Sequence, residues 1–169
     1  MDQNQTIKMP TIRPIEPGDI TVVADIIRQV MTEFQAVGCD YSINDAEVDD
    51  MYSAYAPAGS AFYIVEHDGQ VLGCGGYAPL TGDDKDICEL RKMHFLPTLR
   101  GTGMGKKLLQ QCLDSATRSG YLQCYLETMQ GMHQACRLYH KHGFTGLDQP
   151  MGNTGHSSCE SWMVKTLEQ

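Results

Sequence analysis

The sequence has no long apolar run and no apolar segment near its start. No stretch approaches the ~20 consecutive apolar residues that a membrane-spanning helix needs. Residues 1–9 are polar and do not resemble the apolar core of a secretory signal. These absences predict a cytoplasmic protein that makes no contact with a membrane.

The cysteines and histidines lack the spacing of disulfide or metal motifs. The seven cysteines are odd in number and include no CxxC pair, and the six histidines include no HExxH pattern. Most of the cysteines stand among apolar residues, as small buried side chains do. We therefore expect neither a disulfide scaffold nor a metal site.

Basic residues are scarce, since 13 Lys and Arg against 21 Asp and Glu give a net charge of -8. Such an acidic chain is not expected to bind nucleic acid. The segment between Leu90 and Leu113 is an exception, because it has basic residues and no acidic one. These basic residues are Arg91, Lys92, Arg100, Lys106 and Lys107. The local positive charge is typical of an anion site, although a solvated helix face would have the same composition.

The order of the predicted elements indicates one domain with helices and strands. Apolar residues at helical spacing follow Asp19, and the pair Asp68-Gly69 is a favoured hairpin turn. Strands are predicted at residues 11–15, 61–67, 70–77, 87–95, 121–127 and 159–167, helices at 19–37, 44–55, 104–120 and 133–142, and an irregular loop at 146–155. This order predicts an α/β (α+β) fold in which helices flank a single mixed, mostly antiparallel sheet. Residues 1–9 are expected to be a flexible tail, and residues 10–169 a single domain.

The most informative segment is a glycine-rich turn between a strand and a helix, Arg100-Gly101-Thr102-Gly103-Met104-Gly105-Lys106. Glycine lacks the Cβ atom that would keep a ligand from the backbone. The free N–H groups of the first helical turn and the helix dipole favour an anion, and Arg100 and Lys106 add positive charge. The motifs GxGxxG and GxxxxGK[ST] both differ from this segment in detail. The sequence thus predicts a pyrophosphate site.

Three motifs in order carry a family resemblance. The glycine-rich turn matches [Q/R]xxGx[G/A], it follows the strand Glu89-Leu90-Arg91-Lys92-Met93-His94-Phe95-Leu96-Pro97, and it precedes Leu138-Tyr139-His140-Lys141-His142-Gly143-Phe144. Together they resemble the coenzyme A site of the GCN5-related N-acetyltransferase (GNAT) family. The resemblance implies that residues 10–169 form an acetyltransferase domain that uses acetyl-coenzyme A as co-substrate.

The resemblance also implies which residues bind the cofactor. The backbone of residues 93–95 is expected to pair with the pantetheine arm as an added strand would. The implied cofactor-binding residues are Met93, His94, Phe95, Arg100, Gly101, Thr102, Gly103, Met104, Gly105, Lys106, Thr128, Met132 and Tyr139. Met132 stands where the family often has an asparagine, so Thr128, Gln130 or a backbone group is expected to take over its contacts.

Acetyl transfer to an amine needs a proton donor for the leaving thiolate. The resemblance places Tyr139 beside the cofactor sulfur, and a phenol of ordinary pKa ~10 is protonated at neutral pH. We therefore predict that Tyr139 is the acid. The alternative is that Tyr139 only packs its helix on the sheet.

The amine must also lose a proton, and Glu89 is the predicted base, acting directly or through a water. Strand alternation predicts Glu89, Arg91, Met93 and Phe95 on one face and Leu90, Lys92 and His94 on the other. Glu127, at the end of the adjacent strand, is the rival base, and His94 is a weaker one. Alternatively, Glu89 is only an ion-pair partner for Arg91.

The acceptor is predicted less sharply than the cofactor. Loops at residues 35–58, 77–86 and 146–158 are expected to set acceptor specificity, and their acidic residues would attract a cationic amine, although solvated loops would have the same composition. A small-molecule primary amine is the expected partner. A protein Nα or lysine amine, and a coenzyme A sensor without catalysis, remain alternatives. No segment specifies an interface, although a homodimer would suit the fold.

Overall fold

The computed structural model describes residues 8–83 and 86–168, in which seven strands form one sheet. The strands are β1 Thr11–Pro14, β2 Ala61–His67, β3 Gln70–Pro79, β4 Ile87–Phe95, β5 Gln123–Thr128, β6 Thr145–Leu147 and β7 Ser161–Thr166. The helices are α1 Ile20–Glu33, α2 Met51–Ala54, α3 Met104–Arg118 and α4 His133–Lys141. The strand order is β1-β2-β3-β4-β5-β7-β6, in which β4 and β5 are parallel and every other neighbouring pair is antiparallel. The predicted fold class is therefore confirmed.

Helices cover both faces of the sheet. α3 and α4 bury one apolar face, including Leu108, Leu109 and Tyr139, against the centre of the sheet. α1 and α2 bury Ile27 and Met51 against the opposite face. Each face of the sheet thus has its own core.

The central strand β4 contains a bulge that changes which side chains share a face. Cys74 pairs with His94 and Gly76 with Arg91, so one residue of β3 lies opposite two residues of β4. Lys92 takes a left-handed φ of 53° at this point. An extra residue reverses the alternation beyond it.

The predicted alternation along β4 is therefore wrong. Met93 and Phe95 pack with Leu90 against the core under α3. Lys92 instead contacts the same loop carboxylate, Glu47, as Arg91 does. The bulge thus puts two consecutive cations, Arg91 and Lys92, on the face of the sheet that α1 covers. Regular strand alternation would have put them on opposite faces.

The parallel strands β4 and β5 separate soon after they meet. Among the described residues their ladder runs from Ile87↔Gln123 to Glu89↔Tyr125 and does not continue. β5 continues in register with β7 as far as Thr128. The second half of β4 therefore has an edge that no neighbouring strand covers, and a cleft opens there.

Three predicted elements differ from the structure. α1 ends at Glu33, not at residue 37, because Gln35 takes a φ of 57° and ends the helix. In place of the helix predicted at residues 44–55, the chain forms two 3₁₀ turns, Ser42–Asn44 and Ala46–Asp49, followed by α2. The predicted irregular loop 146–155 begins within the short strand β6, which pairs with β7. Of the predicted N-terminal tail, residues 1–7 lie outside the described residues.

None of the helices among the described residues combines the length and the apolar character that crossing a bilayer requires.

Candidate active site

A groove of about 740 Å³ runs from the glycine-rich turn, along the uncovered edge of β4, to the start of α4. The predicted cofactor-binding residues that line it are Met93, His94, Phe95, Arg100, Gly101, Gly103, Gly105, Lys106, Met132 and Tyr139. The structure thus brings together most of the predicted set. Three others, Thr102, Met104 and Thr128, are not among its lining residues.

The glycine-rich turn presents open backbone at one end of the groove. Gly101 and Gly103 have φ values of 75° and 84°, and a Cβ atom built on either would meet no atom within 4 Å. The first bond of α3 runs from the N–H of Lys107 to the carbonyl of Gly103. The N–H groups of the preceding three residues have no partner within the helix, so this end favours an anion.

Thr102 and Met104 stabilise the turn instead of lining the groove. The Thr102 hydroxyl donates to the carbonyl oxygen of Leu99 at 2.6 Å. Met104 is 2% exposed and belongs to the core under α3. Their backbone is close to the groove, but their side chains hold the turn in shape.

Arg100 is less available to an anion than its sequence position predicts. Its guanidinium donates to both carboxylate oxygens of Glu33, at 2.6 and 2.8 Å, and its Nε donates to the carbonyl of Phe95 at 2.9 Å. It also lies 5.5 Å from the ring centroid of Phe34. Arg100 therefore ties α1 to the end of β4. Lys106 and Arg137 of α4 also line the groove, and Arg137 was not among the predicted residues.

His94 is a buried, neutral side chain on the uncovered half of β4. Burial, with help from Lys92 and Arg100, lowers its pKa from 6.5 to about 3. It is 8% exposed, and its Nδ1 atom has no hydrogen-bond partner among the described residues. A neutral imidazole of this kind is a poor base at neutral pH, because it holds a proton too weakly.

A smaller cavity of about 80 Å³ adjoins the groove between β4 and β5. Tyr139, Met132 and His94 line both spaces. Burial raises the pKa of the Tyr139 hydroxyl above its usual range, so this phenol stays protonated. Thr128 also lines the smaller cavity, and its hydroxyl lies 3.7 Å from the Met132 sulfur. The junction of the two spaces therefore carries a proton donor.

The two candidate bases differ in their access to this cavity. Glu127 is among its lining residues and accepts hydrogen bonds from the Tyr125 hydroxyl at 2.8 Å and from Thr154 at 2.9 Å. Glu89 lines neither space, is 4% exposed, and accepts a hydrogen bond from Arg91 Nε at 2.6 Å. Burial raises the pKa of Glu89, although the Arg91 charge opposes this. Glu89 thus lies behind Glu127 as seen from the cavity.

An ion-pair network lies beside the smaller cavity and includes two of its lining residues, Lys92 and Glu127. Lys92 Nζ lies 2.6 Å from an Asp45 oxygen and 3.1 Å from Glu47. His156 Nε2 lies 3.0 Å from Asp45, and its Nδ1 lies 3.5 Å from Glu127. These contacts join the segment before α2, the bulge of β4, the end of β5 and the loop before β7. Sequence reasoning missed this role of Asp45, Lys92 and His156, because the contacts connect residues far apart in the chain.

His156 is protonated at neutral pH in this network. Its hydrogen bonds to Asp45 and Glu127 raise its pKa from 6.5 to about 9. A raised pKa contributes stability that is fully present below pH 6.5 and is lost as the pH rises through 9. We therefore expect wild-type protein to have a higher Tm than His156→Gln at pH 6, and the difference to shrink by pH 10. Thermal unfolding in a pH series measures this, and a difference that does not change with pH would contradict the protonated state.

Three potential metal ligands, Glu89, Glu127 and His156, lie within 4.8 Å of one another. Each is already engaged, with Arg91, Thr154 and Asp45 respectively. The Arg91 guanidinium and the protonated His156 would repel a divalent cation. The chemistry of this donor set therefore fits an ion-pair network better than a metal site, and the absence of a metal stays a prediction.

Comparisons with known proteins agree with this geometry. The family model described as the acetyltransferase (GNAT) family matches residues 25–144. YjgM, an uncharacterized N-acetyltransferase of Escherichia coli K12, is 41% identical over 159 residues, which cover 94% of this chain and 95% of YjgM.

Solved structures share the fold at low sequence identity. A GNAT-family acetyltransferase from Staphylococcus aureus Mu50 superposes with a TM-score of 0.81 at 17% identity, covering 95% of this chain and all (100%) of that one. YncA of Salmonella typhimurium, with its cofactor acetyl-CoA, superposes with a TM-score of 0.76 at 21% identity, covering 96% of each chain. The fold, the groove at the glycine-rich turn and the family match lead to one conclusion: the chain belongs to the GNAT family of acetyltransferases.

Proposed function

We propose that this enzyme transfers the acetyl group of acetyl-coenzyme A to the primary amine of a small molecule, by direct attack in a ternary complex. The observation that carries the proposal is the junction at Tyr139, where the groove from the glycine-rich turn meets the smaller cavity that contains Glu127. A thioester in the groove would present its carbonyl at the point where an amine in the cavity arrives.

The pyrophosphate of the cofactor would lie on the free N–H groups at the start of α3, with Lys106 nearby. The pantetheine arm would lie along the uncovered edge of β4, where the backbone of residues 93–95 offers hydrogen-bonding groups. A backbone N–H of this edge would stabilise the oxyanion of the tetrahedral intermediate. The structure of YncA with acetyl-CoA supports a cofactor in this fold.

The residues at the junction can accept and donate the protons that acetyl transfer requires. The amine nitrogen forms a bond to the thioester carbonyl carbon, and the carbon–sulfur bond then breaks. The amine proton passes to Glu127, and the departing thiolate takes a proton from the Tyr139 hydroxyl. No acetylated enzyme is needed, so Cys159, although it lines the cavity, has no covalent step.

The size of the smaller cavity supports a small acceptor over a protein chain. It measures about 80 Å³ and lies under the ion-pair network of the loops before α2 and β7. A lysine of a folded partner would need an open channel to the junction. Incubation with acetyl-coenzyme A and a panel of amines, followed by detection of free thiol, tests the proposal. Selective binding of acetyl-coenzyme A with no turnover of any amine would favour the sensor instead.

The base can be assigned by paired substitutions. We expect Glu127→Gln to lower kcat by ~10²-fold, because it removes the carboxylate that lines the cavity. We expect Glu89→Gln to have a smaller effect on kcat, because Glu89 would act only through Glu127 or a water. Steady-state kinetics of both variants at several pH values decides between them, and the opposite order would restore Glu89 as the direct base.

A further inference from the structure

We call the smaller cavity the acceptor cavity, and each described cation that lines it or lies behind its wall is already paired with a carboxylate. The described residues that line the cavity include one cation, Lys92, and one carboxylate, Glu127. The Lys92 side chain is 2% exposed, and two carboxylates, Asp45 and Glu47, already neutralise its ammonium. Glu127 is therefore the carboxylate that an incoming amine would meet, although His156 already lies 3.5 Å from it, whereas the one cation among the described lining residues is held by two carboxylates.

The cations behind the cavity wall are also engaged. Arg91 contacts Glu89 at 2.6 Å and Glu47 at 3.8 Å. His156 lies between Asp45 and Glu127. A carboxylate that entered the cavity would lose its hydration shell. The cations nearby are already paired with acidic groups, so the desolvation free energy of this carboxylate would not be offset by a new ion pair.

The rest of the cavity wall is largely apolar and rich in sulfur. Four methionines line it, namely Met31 of α1, Met93 of β4, and Met129 and Met132 of the connection between β5 and α4. Flexible thioether side chains fill irregular spaces and pack well against alkyl and aromatic groups. The wall therefore suits an apolar body attached to the amine.

The geometry points to a specific acceptor class, which rests on the proposed function: a compact monoamine with an apolar body and no carboxylate. α-Amino acids are excluded by the same arrangement, because their carboxylate would stay unpaired beside Glu127. This specificity depends on the repulsion between Glu127 and an amino-acid carboxylate as much as on the attraction between Glu127 and the amine. Asp45 is the specificity-determining residue, because it neutralises both Lys92 and His156.

Matched pairs of amines and amino acids test this assignment. We compare 2-phenylethylamine with phenylalanine, and isobutylamine with valine, since the members of each pair differ by the carboxylate. We measure kcat/KM by thiol release from acetyl-coenzyme A. In the pair whose amine reacts faster, we expect kcat/KM of the amine to be at least ~10²-fold higher than that of its amino acid. Equal or higher values for the amino acids would overturn the inference.

Calorimetric titration of the same compounds into the enzyme–coenzyme A complex gives a second readout that needs no turnover. Stronger binding of the amines supports the inference even if acetyl transfer is absent, in which case only the proposed function fails. If the amino acids bind as tightly as the amines, or if no member of either pair binds, the inference is wrong.

Substitution of Asp45 changes the selectivity in a predictable direction. Asp45→Asn leaves Lys92 and His156 with less negative charge, so we expect the preference for amine over amino acid to fall by ~10-fold. Asp40→Asn is the matched control, because Asp40 is an exposed carboxylate in the same segment, and it should leave the ratio unchanged. An unchanged ratio in a folded Asp45→Asn protein would remove Asp45 from this role.

Discussion

Replacement of Tyr139 by Phe is expected to lower kcat by ~10²-fold or more with little change in affinity for acetyl-coenzyme A. The substitution removes the hydroxyl that would protonate the leaving thiolate, a step for which general-acid catalysis contributes 10²–10⁴-fold. The ring stays, and with it the edge-on contact with Phe144 at 5.8 Å. Single-turnover kinetics, together with calorimetric titration of the cofactor, separates the chemical step from binding.

Tyr63→Phe is the matched control for this experiment. Tyr63 is another buried tyrosine of the same core, and its hydroxyl donates to Ser115 at 2.9 Å without lining either cavity. We expect Tyr63→Phe to cost about 1 kcal/mol of unfolding free energy and to leave kcat unchanged. If Tyr139→Phe were as active as this control, the hydroxyl of Tyr139 would have no role in acid catalysis.

Replacement of Gly103 by Asp is expected to abolish detectable binding of acetyl-coenzyme A. The Cβ atom would point into open space at the end of the groove, so the carboxylate would occupy the region where the pyrophosphate is expected. It would also place a negative charge beside the free N–H groups that attract an anion. Asp at a φ of 84° is also strained, so a control with the same strain is needed.

Gly120→Asp provides the comparison at the opposite end of α3. Gly120 has a φ of 91°, and a Cβ atom there would also meet nothing within 4 Å. Both substitutions therefore introduce the same charge and a similar backbone strain, but only Gly103 lies at the groove. We expect Gly120→Asp to bind the cofactor as wild type does. Retained affinity in Gly103→Asp would contradict the phosphate-binding role of the turn.

The conformation of the glycine-rich turn was predictable because its signal is local. The turn needs glycine at positions with left-handed φ, and Gly101 and Gly103 have these angles. The helix that follows begins at Met104, close to the predicted start. A turn, its helix and the preceding strand involve neighbours in sequence, so residue type and spacing describe them well.

Some local predictions were still wrong, and each has a physical cause. The helical periodicity after Asp19 continues to Val37, yet the chain leaves the helix at Gln35, and Val37 is 54% exposed. The predicted helix at residues 44–55 is broken into short turns, in which Asp45 and Glu47 face Lys92 and Asp50 caps α2. Tertiary ion pairs thus overrode the local apolar pattern.

The sequence alone determined the fold class, the family and the end of the groove that would hold a pyrophosphate, because these depend on patterns within a few tens of residues. Only the tertiary structure decided how charged groups are arranged around the smaller cavity, where we propose that the acceptor binds. One extra residue at Lys92 reverses the faces of β4, and a rule of period two cannot locate such a bulge. Asp45 and His156, 111 residues apart, contact each other only because the tertiary fold brings their two loops together, and no local pattern encodes such a contact.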